Sequence, residues 1–244
     1  MSLDESGRRL WHALGLGPLW RERGAAGPEA AAAARATAPA VAPGEMDWET
    51  LEETVAACTA CGLCRTRQQT VFAAGGQDAR WMFIGEAPGA EEDARGEPFV
   101  GQAGRLLDNM LAAIGLGRTP AGADAALEPV YIANVLKCRP PGNRNPEAAE
   151  VAQCKPFLLR QIELLQPRLI VVMGRFAVQA LLGTDASIAS LRGRVHEFEQ
   201  GGRRYPVVVT YHPAYLLRTL SDKARSWDDL CLARSAYEQA AQVQ

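Results

Sequence analysis

Residues 81–101 read Trp-Met-Phe-Ile-Gly-Glu-Ala-Pro-Gly-Ala-Glu-Glu-Asp-Ala-Arg-Gly-Glu-Pro-Phe-Val-Gly. The first four are apolar and of strand type, and the run stops at Gly85, after which glycine, proline and carboxylates dominate. A buried strand whose carboxyl end opens into such a loop is typical of a binding site at the edge of an α/β sheet. A solvated acidic turn is the plainer alternative. The stretch therefore predicts a ligand-binding loop if other strands end in matching loops.

Strand and helix signals alternate through the rest of the chain, which predicts an α/β sandwich with a mainly parallel central sheet. Helices are predicted over 46–57, 103–115, 146–165, 175–182 and 222–242, and further strands over 129–134, 168–174 and 205–211. Three of the predicted strands end in polar residues, namely Glu86, Asn134 and His212. Because the carboxyl ends of parallel strands meet at one edge of a sheet, we expect these side chains to line one pocket.

Length and composition predict one folded domain with a tail. The chain has 244 residues, of which 48% are apolar, and a net charge of −2. That balance excludes a broadly basic nucleic-acid binder but leaves room for a local basic face. Residues 25–44 are almost wholly Ala, Pro and Gly, so 1–44 is predicted as a tail with a flexible linker and 45–244 as the domain. With no bilayer-spanning apolar run and no secretory-type N-terminus, we expect a cytoplasmic protein with reduced thiols.

Six cysteines form the second group of candidate functional residues. Cys58, Cys61 and Cys64 lie close together, Cys138 and Cys154 follow in later segments, and Cys231 stands alone in the last predicted helix. Grouped thiolates suit either an iron–sulfur cluster or zinc, whereas reduced thiols scattered through a core are the plainer interpretation. The spacing does not decide between iron–sulfur and zinc, or which two of the first three cysteines are ligands. Cys231 is predicted to be an ordinary buried thiol.

Four motifs occur in order: Gly85-Glu-Ala-Pro-Gly89 with Glu92-Asp93, Pro98-Phe-Val-Gly-Gln-Ala-Gly104, Tyr131-Ile-Ala-Asn-Val-Leu-Lys-Cys-Arg-Pro-Pro141 with Asn143-Arg144, and Tyr211-His-Pro-Ala-Tyr-Leu-Leu-Arg218. Together they closely resemble the family 4, iron–sulfur uracil-DNA glycosylases over about residues 48–235. The resemblance implies a three-layer α/β/α sandwich and a base-excision repair enzyme that releases uracil from DNA. It also implies a [4Fe–4S] cluster held by Cys58, Cys61, Cys138 and Cys154, which leaves Cys64 as an extra cysteine.

The resemblance also assigns roles in the predicted pocket. Phe99 matches the aromatic residue on which the extruded base stacks, and Asn134 the amide that reads the uracil edge. His212 matches the histidine that faces uracil O2, and Glu92 a carboxylate near the sugar and the attacking water. At Ala87 the best-studied uracil glycosylases carry a water-orienting aspartate, so the water-binding group stays open. The other residues implied to line the pocket are Gly85, Glu86 and Gly89.

DNA contacts are predicted on both sides of this pocket. Basic residues beside the pocket loops are candidates for a phosphate-binding stripe: Lys137, Arg139, Arg144 and Arg218. The loop that carries Tyr215, Leu216 and Leu217 resembles the element that enters the helix to hold the base out. We therefore expect a monomer that acts on uracil-containing DNA, single- or double-stranded, and no membrane partner.

Two alternatives remain open at this level. One is a glycosylase of broader scope that also acts on hypoxanthine or mismatched bases. The other is a non-catalytic nucleic-acid-binding module stabilised by a four-cysteine metal site.

The tail carries a separate prediction. Residues 8–23 place two tryptophans and several leucines between arginines, and exposed aromatic residues of this kind are typical interface anchors. The stretch distantly resembles the N-terminal peptide of the bacterial clamp-loader psi subunit. It therefore predicts docking to a replication or repair protein.

Overall fold

The computed structural model describes residues 42–118 and 127–242. The predictions for the tail, including the docking segment at residues 8–23, lie outside the described residues. The helices are α1 (Trp48–Ala56), α2 (Ala90–Arg95), α3 (Gln102–Ala112), α4 (Ala148–Leu165), α5 (Arg175–Leu182), α6 (Ile188–Leu191), α7 (Pro213–Leu216) and α8 (Lys223–Gln242). The strands are β1 (Trp81–Gly85), β2 (Leu116–Gly117), β3 (Glu128–Asn134), β4 (Leu169–Met173), β5 (Val195–Gln200) and β6 (Arg203–Thr210). Short 3₁₀ helices cover Pro43–Glu45, Gly62–Arg65, Pro141–Asn143 and Leu220–Asp222.

The strands form one six-stranded sheet in the order β2-β3-β1-β4-β6-β5. Every neighbouring pair is parallel except β5 and β6, which are antiparallel. The carboxyl ends of β3, β1, β4 and β6 therefore lie at one edge, as the predicted parallel sheet requires. No helix within the described ranges is both long enough and apolar enough to cross a membrane.

Helices cover both faces of the sheet, which makes the fold a three-layer α/β/α sandwich. Alternate residues of a strand point to opposite faces, and here both sets are apolar and buried. Met82 and Ile84 of β1 belong to a core cluster with α4 and α5, whereas Trp81 and Phe83 belong to a second cluster with α3 and α8. Trp81 also stacks on Tyr237 of α8 at a ring distance of 4.3 Å. The predicted fold class is confirmed.

Most predicted elements are present with ends shifted by one to three residues. Asp47 caps α1 by accepting a hydrogen bond from the Thr50 amide. Several features differ. The short elements α2, β2, α6 and α7 were not predicted, β5 is an additional edge strand with alternating exposure, and Cys231 is exposed rather than buried. A half-exposed edge strand rich in polar residues has no apolar run to reveal it.

Candidate active site

The polar strand ends meet in one cleft, as predicted. The cleft has a volume of about 730 Å³ at the carboxyl edge of the sheet. Its lining includes Glu86 after β1, Asn134 at the end of β3 and His212 after β6. The same cleft contains Ala87, Gly89, Glu92 and Phe99, which the resemblance assigned to the pocket.

Asn134 lies at the bottom of this cleft beside Gly85. The two residues pair directly in the β1–β3 register, and Asn134 is 2% exposed. Its Oδ1 atom is buried without a hydrogen-bond partner among the described residues. A Cβ atom at Gly85 would lie 2.5 Å from this oxygen and 2.5 Å from the Phe99 ring, so glycine is needed there. A buried amide oxygen without a partner is rare and is a sign of a ligand-binding group.

Phe99 forms one wall of the cleft in an unusual backbone conformation. Its φ angle is 56°, in the left-handed region that bulky residues rarely adopt. Such a conformation costs on the order of 1–3 kcal/mol and persists only where the surroundings impose it. Its ring lies 5.4 Å from the His212 ring with 30° between the planes. The cleft therefore has an aromatic wall that is fixed before any ligand binds.

His212 caps the short helix α7 with its ring. The Nδ1 atom accepts a hydrogen bond of 3.1 Å from the Ala214 amide, so the neutral ring carries its proton on Nε2. The pKa of His212 is lowered to about 4, mainly by burial and also by the charge of Arg218, while Glu92 acts in the opposite direction. The ring is neutral at physiological pH and offers Nε2–H as a donor.

The two cleft carboxylates differ in how they are held. Glu92 accepts three backbone hydrogen bonds, from Gly89 at 3.0 Å, Val100 at 2.9 Å and Gly101 at 3.0 Å. Glu86 forms no side-chain hydrogen bond within the described part of the chain, and burial raises its pKa against the opposing charge of Arg175. Glu92 therefore fixes two loops to each other, while Glu86 is the carboxylate free to bind a ligand or water.

The predicted basic stripe is only partly available to phosphate. Lys137 is 1% exposed, and its ammonium group donates to the Phe72 and Asn134 carbonyl oxygens and to Gln161 Oε1, so it cannot contact DNA. Its three donors are satisfied inside the protein, which is what makes burial of the charge tolerable.

The three arginines of the predicted stripe differ in their partners. Arg144 is bound in bidentate fashion by Glu150, at 2.5 and 2.9 Å. Arg139 donates to Asn143 Oδ1. Arg218 lines the cleft and is exposed. Of the stripe, Arg218 is therefore the residue whose charge is best placed to meet a backbone phosphate.

The loop after His212 is only partly exposed. Tyr215 lines the cleft, stacks on Tyr211 and donates to Asp222 Oδ2 at 2.6 Å. Leu216 is 1% exposed and faces the core, which differs from the prediction that it contacts DNA, whereas Leu217 is 39% exposed. Only Leu217 of the two leucines is placed to meet DNA.

A second pocket is lined by the clustered cysteines. Cys58, Cys61 and Cys64 come from the segment after α1, Cys138 from the loop after β3, and Cys154 from α4. Burial raises the pKa of the Cys61 and Cys138 thiols, and raises that of Cys154 to about 12. No group of three Cys, His, Asp or Glu side chains among the described residues is arranged around a single metal ion.

Two hydrogen-bond donors point at the sulfur atoms of this pocket. Arg67 donates to Cys138 Sγ at 3.2 Å, and the Lys137 amide donates to Cys154 Sγ at 3.2 Å. Hydrogen bonds to sulfur stabilise the thiolate form, which is the form that binds iron or zinc. The residues present therefore fit a thiolate-bound metal group. Because Cys64 lines the same pocket, the choice of ligands among the first three cysteines stays a prediction.

Sequence reasoning missed two residues that line the cleft and one that supports it. Gly174 and Arg175 come directly after β4, much as Gly85 and Glu86 stand at the end of β1, and both line the cleft, so the same strand-end rule could have found them. Arg118 lies outside the cleft and binds the backbone of Phe99. No sequence signal connects two residues that are nineteen positions apart.

Comparisons with known proteins agree with this geometry. The model of the uracil DNA glycosylase superfamily matches residues 72–232. A type-4 uracil-DNA glycosylase of Archaeoglobus fulgidus is 44% identical over 67% of this chain and 79% of its own length. Another from Thermotoga maritima is 44% identical over 72% and 86%, and one from Pyrobaculum aerophilum is 37% identical over 77% and 93%. The chain therefore belongs to the uracil-DNA glycosylase superfamily and, within it, to the type-4 family.

Proposed function

We propose that this protein hydrolyses the N-glycosidic bond of deoxyuridine in DNA, releasing uracil and leaving an abasic site for base-excision repair. The observation that carries the proposal is the buried, unpartnered Oδ1 of Asn134 at the bottom of a cleft walled by Phe99 and His212. The amide of Asn134, the aromatic wall of Phe99 and the ring of His212 together suit a flat, polar ligand ring that has one hydrogen-bond donor and two acceptors. The names of the relatives point to the same substrate.

Recognition begins with extrusion of the nucleotide into the cleft, because a base inside the duplex is out of reach. The uracil ring stacks on Phe99, whose orientation is fixed by its strained backbone. The side-chain amide of Asn134 then accepts from N3–H and donates to O4, which pairs its unpartnered oxygen. Cytosine has no N3–H to donate, so it would leave that oxygen unpaired and be rejected.

Bond cleavage leaves negative charge on the departing base. His212 donates from Nε2–H to uracil O2, where that charge develops. Its Nδ1 is occupied by the Ala214 amide, so the ring already has the required tautomer. A donor that is fixed before the reaction needs no reorganisation during it, which lowers the barrier.

Positive charge builds on the deoxyribose at the same time and has to be balanced. Glu92, held by three backbone amides, supplies a fixed negative charge near the sugar. Glu86, with no hydrogen bond of its own in the described chain, is free to orient the water that attacks the sugar. Glu86 would thereby take the place of a water-orienting side chain at position 87, where this chain has Ala87.

We also propose that the cysteine pocket holds a [4Fe–4S] cluster through Cys58, Cys61, Cys138 and Cys154. The support is the thiol-lined pocket, its two donors to sulfur and the type-4 designation of the relatives. The cluster would supply a covalent cross-link between the segment after α1, the loop after β3 and α4. No chemical step requires it, so its role is to hold these segments in place.

DNA is the proposed partner, bound beside the cleft. Exposed Arg218 and half-buried Arg139 meet backbone phosphates, and exposed Leu217 enters the space left by the extruded base. Action as a monomer and attachment to a replication or repair protein through residues 8–23 remain part of the proposal.

The test is release of uracil from oligonucleotides that carry one uracil, single- and double-stranded. Asn134→Ala and His212→Ala should each lower the rate by roughly two to three orders of magnitude, because a positioned donor is worth about 2.7–4 kcal/mol. Exposed Asn109 provides the matched control, and Asn109→Ala should leave the rate unchanged.

Two results would contradict the proposal. If the wild-type protein released no uracil, the alternative of a non-catalytic binding module would be favoured. If the rate fell less than tenfold in both Asn134→Ala and His212→Ala, these two residues would not have the proposed roles in the pocket. Oligonucleotides with hypoxanthine or a mismatched base, measured side by side, decide whether the specificity is broader.

A further inference from the structure

The loop that carries Phe99 is held at both ends by charged side chains. On the carboxyl side, Glu92 accepts from the amides of Val100 and Gly101. Arg118 binds the chain on both sides of the Phe99 Cα atom, donating from Nη1 to the Pro98 carbonyl oxygen at 2.7 Å and from Nη2 to the carbonyl oxygen of Phe99 itself at 2.6 Å. The peptide group between Phe99 and Val100 is therefore held at its oxygen by Arg118 and at its amide by Glu92.

Arg118 is itself fixed by acidic residues. Its Nε atom lies 2.5 Å from Asp108 Oδ1 on α3, and its Nη1 atom lies 3.9 Å from Glu97 Oε1. The Arg118 side chain is 18% exposed, while those of Asp108 and Glu97 are about half exposed. The guanidinium group thus connects the Phe99 loop to a helix of the core layer.

The close approach of α3 completes the arrangement. A Cβ atom at Gly104 would lie 1.6 Å from the Phe99 carbonyl oxygen, so this carbonyl sits directly on the helix. The oxygen that Arg118 binds is therefore pressed against α3 on one side and held by the guanidinium group on the other. Without that hydrogen bond, only packing and the contacts of Glu92 with the Val100 and Gly101 amides would hold Phe99 at a φ angle of 56°.

We propose that Arg118 is a positioning residue that acts through Phe99. Arg118 does not line the cleft, so it touches neither base nor sugar. It keeps the Phe99 ring in the orientation that stacks on the extruded base. A planar guanidinium binds two adjacent carbonyl oxygens at once, which a lysine ammonium cannot do with the same geometry. The inference rests on the proposed function, because stacking matters only if a base enters the cleft.

The test is a double-substitution cycle on a uracil-containing oligonucleotide. Arg118→Met, Arg118→Lys, Phe99→Ala and the double variant Arg118→Met/Phe99→Ala are compared with wild type for kcat/KM and for inhibition by free uracil. Arg234→Met is the matched control, because Arg234 also binds two carboxylates, Glu128 and Glu238, at another part of the surface. Thermal unfolding of each variant measures any effect on stability.

We expect Arg118→Met to lower kcat/KM by about tenfold to a hundredfold, the range for loss of one base–aromatic stack. Inhibition by free uracil should weaken by a similar factor, and Arg118→Lys should fall in between. In the Phe99→Ala background the same substitution should cost almost nothing more, because a residue that acts through another shows strong non-additivity. Arg234→Met should match wild type.

The experiment distinguishes failure of this inference from failure of the proposed function. An Arg118→Met loss that is equal in both backgrounds, or equal to that of Arg234→Met, would overturn the inference and leave the proposed function intact. Arg118→Met activity equal to wild type would do the same. Wild-type protein that released no uracil would overturn the proposed function and the inference together.

Discussion

The base cleft and the cysteine pocket are built from neighbouring parts of the chain but are completed in different ways. In the cleft, the side chains are already fixed: Glu92 by three amides, His212 by its helix cap and Phe99 by its backbone. In the cysteine pocket, the thiols come from three separate segments and two donors point at the sulfur atoms. The cleft is complete in the fold itself, whereas the walls of the cysteine pocket would be joined by the proposed cluster.

This difference predicts that substitutions in the cleft change the rate of uracil release, whereas substitutions in the cysteine pocket change the stability of the fold. A cleft that is preformed can lose a donor without losing the fold, so its substitutions should act on the rate. A pocket whose segments are joined by a metal group should lose stability when a ligand is removed, because binding of the group contributes to the free energy of folding.

Lys137 connects the cysteine pocket to the cleft, and this connection predicts different effects for substitutions in the two sites. Its amide donates to Cys154 Sγ, while its ammonium group donates to the Asn134 carbonyl oxygen at 2.9 Å and to Gln161 Oε1 at 2.6 Å. We therefore expect damage to the cysteine pocket to reach Asn134 through Lys137. Removal of the Asn134 side chain leaves all three contacts of Lys137 in place, because none of them uses that side chain.

The largest effect is expected from the cysteine ligands. Cys58→Ala, Cys61→Ala, Cys138→Ala and Cys154→Ala should each lower the iron content and the stability. Losing a cross-link across a long stretch of chain costs about 2–5 kcal/mol, a fall in Tm of roughly 5–20 °C. Iron analysis, absorbance near 400 nm in anaerobically purified protein and thermal unfolding measure this.

The controls for this prediction are Cys64→Ala and Cys231→Ala, which should keep the iron. Uracil release should fall with iron content in the ligand variants, whereas Asn134→Ala should keep its iron. An iron-replete Cys58→Ala beside an iron-depleted Cys64→Ala would move the ligand pair to Cys61 and Cys64. Iron lost from Asn134→Ala would break the asymmetry between the two sites.

A smaller effect is expected from the protonation of His212. Its pKa is about 4 in the folded protein and near 6.5 when unfolded, so between these values only the unfolded state takes up the proton. Stability is therefore lost as the pH falls from about 7 to 4. The residue is half-buried by its exposed area, so we expect a loss somewhat smaller than the full pKa shift implies, about 1–3 kcal/mol.

Unfolding free energies at pH 7 and pH 4.5 measure this effect. Wild type should lose more stability over that interval than His212→Gln, which has no titrating group. Uracil release by wild type should show no step between pH 6 and 7, because the ring is already neutral there. If both proteins lost the same unfolding free energy, or if the rate of uracil release changed in a step near pH 6.5, His212 would not be held as a buried neutral ring.

The smallest effect is expected from Arg218, an exposed arginine that lines the cleft. Arg218→Ala should weaken DNA binding and reduce the slope of log K against log salt concentration by about 1, the value for one phosphate contact. Arg144→Ala should change the slope less, because Glu150 already binds that guanidinium. Fluorescence anisotropy across a salt series measures both. A larger change for Arg144 would make it the phosphate contact.

The sequence predicted the fold well because the central strands are buried on both faces. Trp81–Gly85 and Leu169–Met173 are continuous apolar runs, and such runs with helices between them predict a parallel sheet. Convergence of Glu86, Asn134 and His212 followed from the geometry of parallel strands alone. Their chemical roles came from the resemblance and stay predictions.

What escaped prediction depends on contacts between distant residues. Lys137 stands beside arginines in the sequence and was assigned to DNA, yet the acceptor that buries it, Gln161, is on α4. Arg118 follows the short run Gly115-Leu116-Gly117, and the carbonyl groups that it binds, those of Pro98 and Phe99, are about twenty residues earlier. Local sequence gives no measure of such burial or pairing.

The edge strand β5 has a consequence for behaviour at high protein concentration. An exposed strand edge is a template on which another chain can pair and start aggregation. Along β5 the exposed positions include Glu197 and Glu199, and Arg204 of β6 lies 3.9 Å from each of their carboxylates. An incoming strand would have to desolvate this row of charges as it paired. The strand that the hydrophobic pattern failed to reveal is thus the one whose charges oppose growth of the sheet into an aggregate.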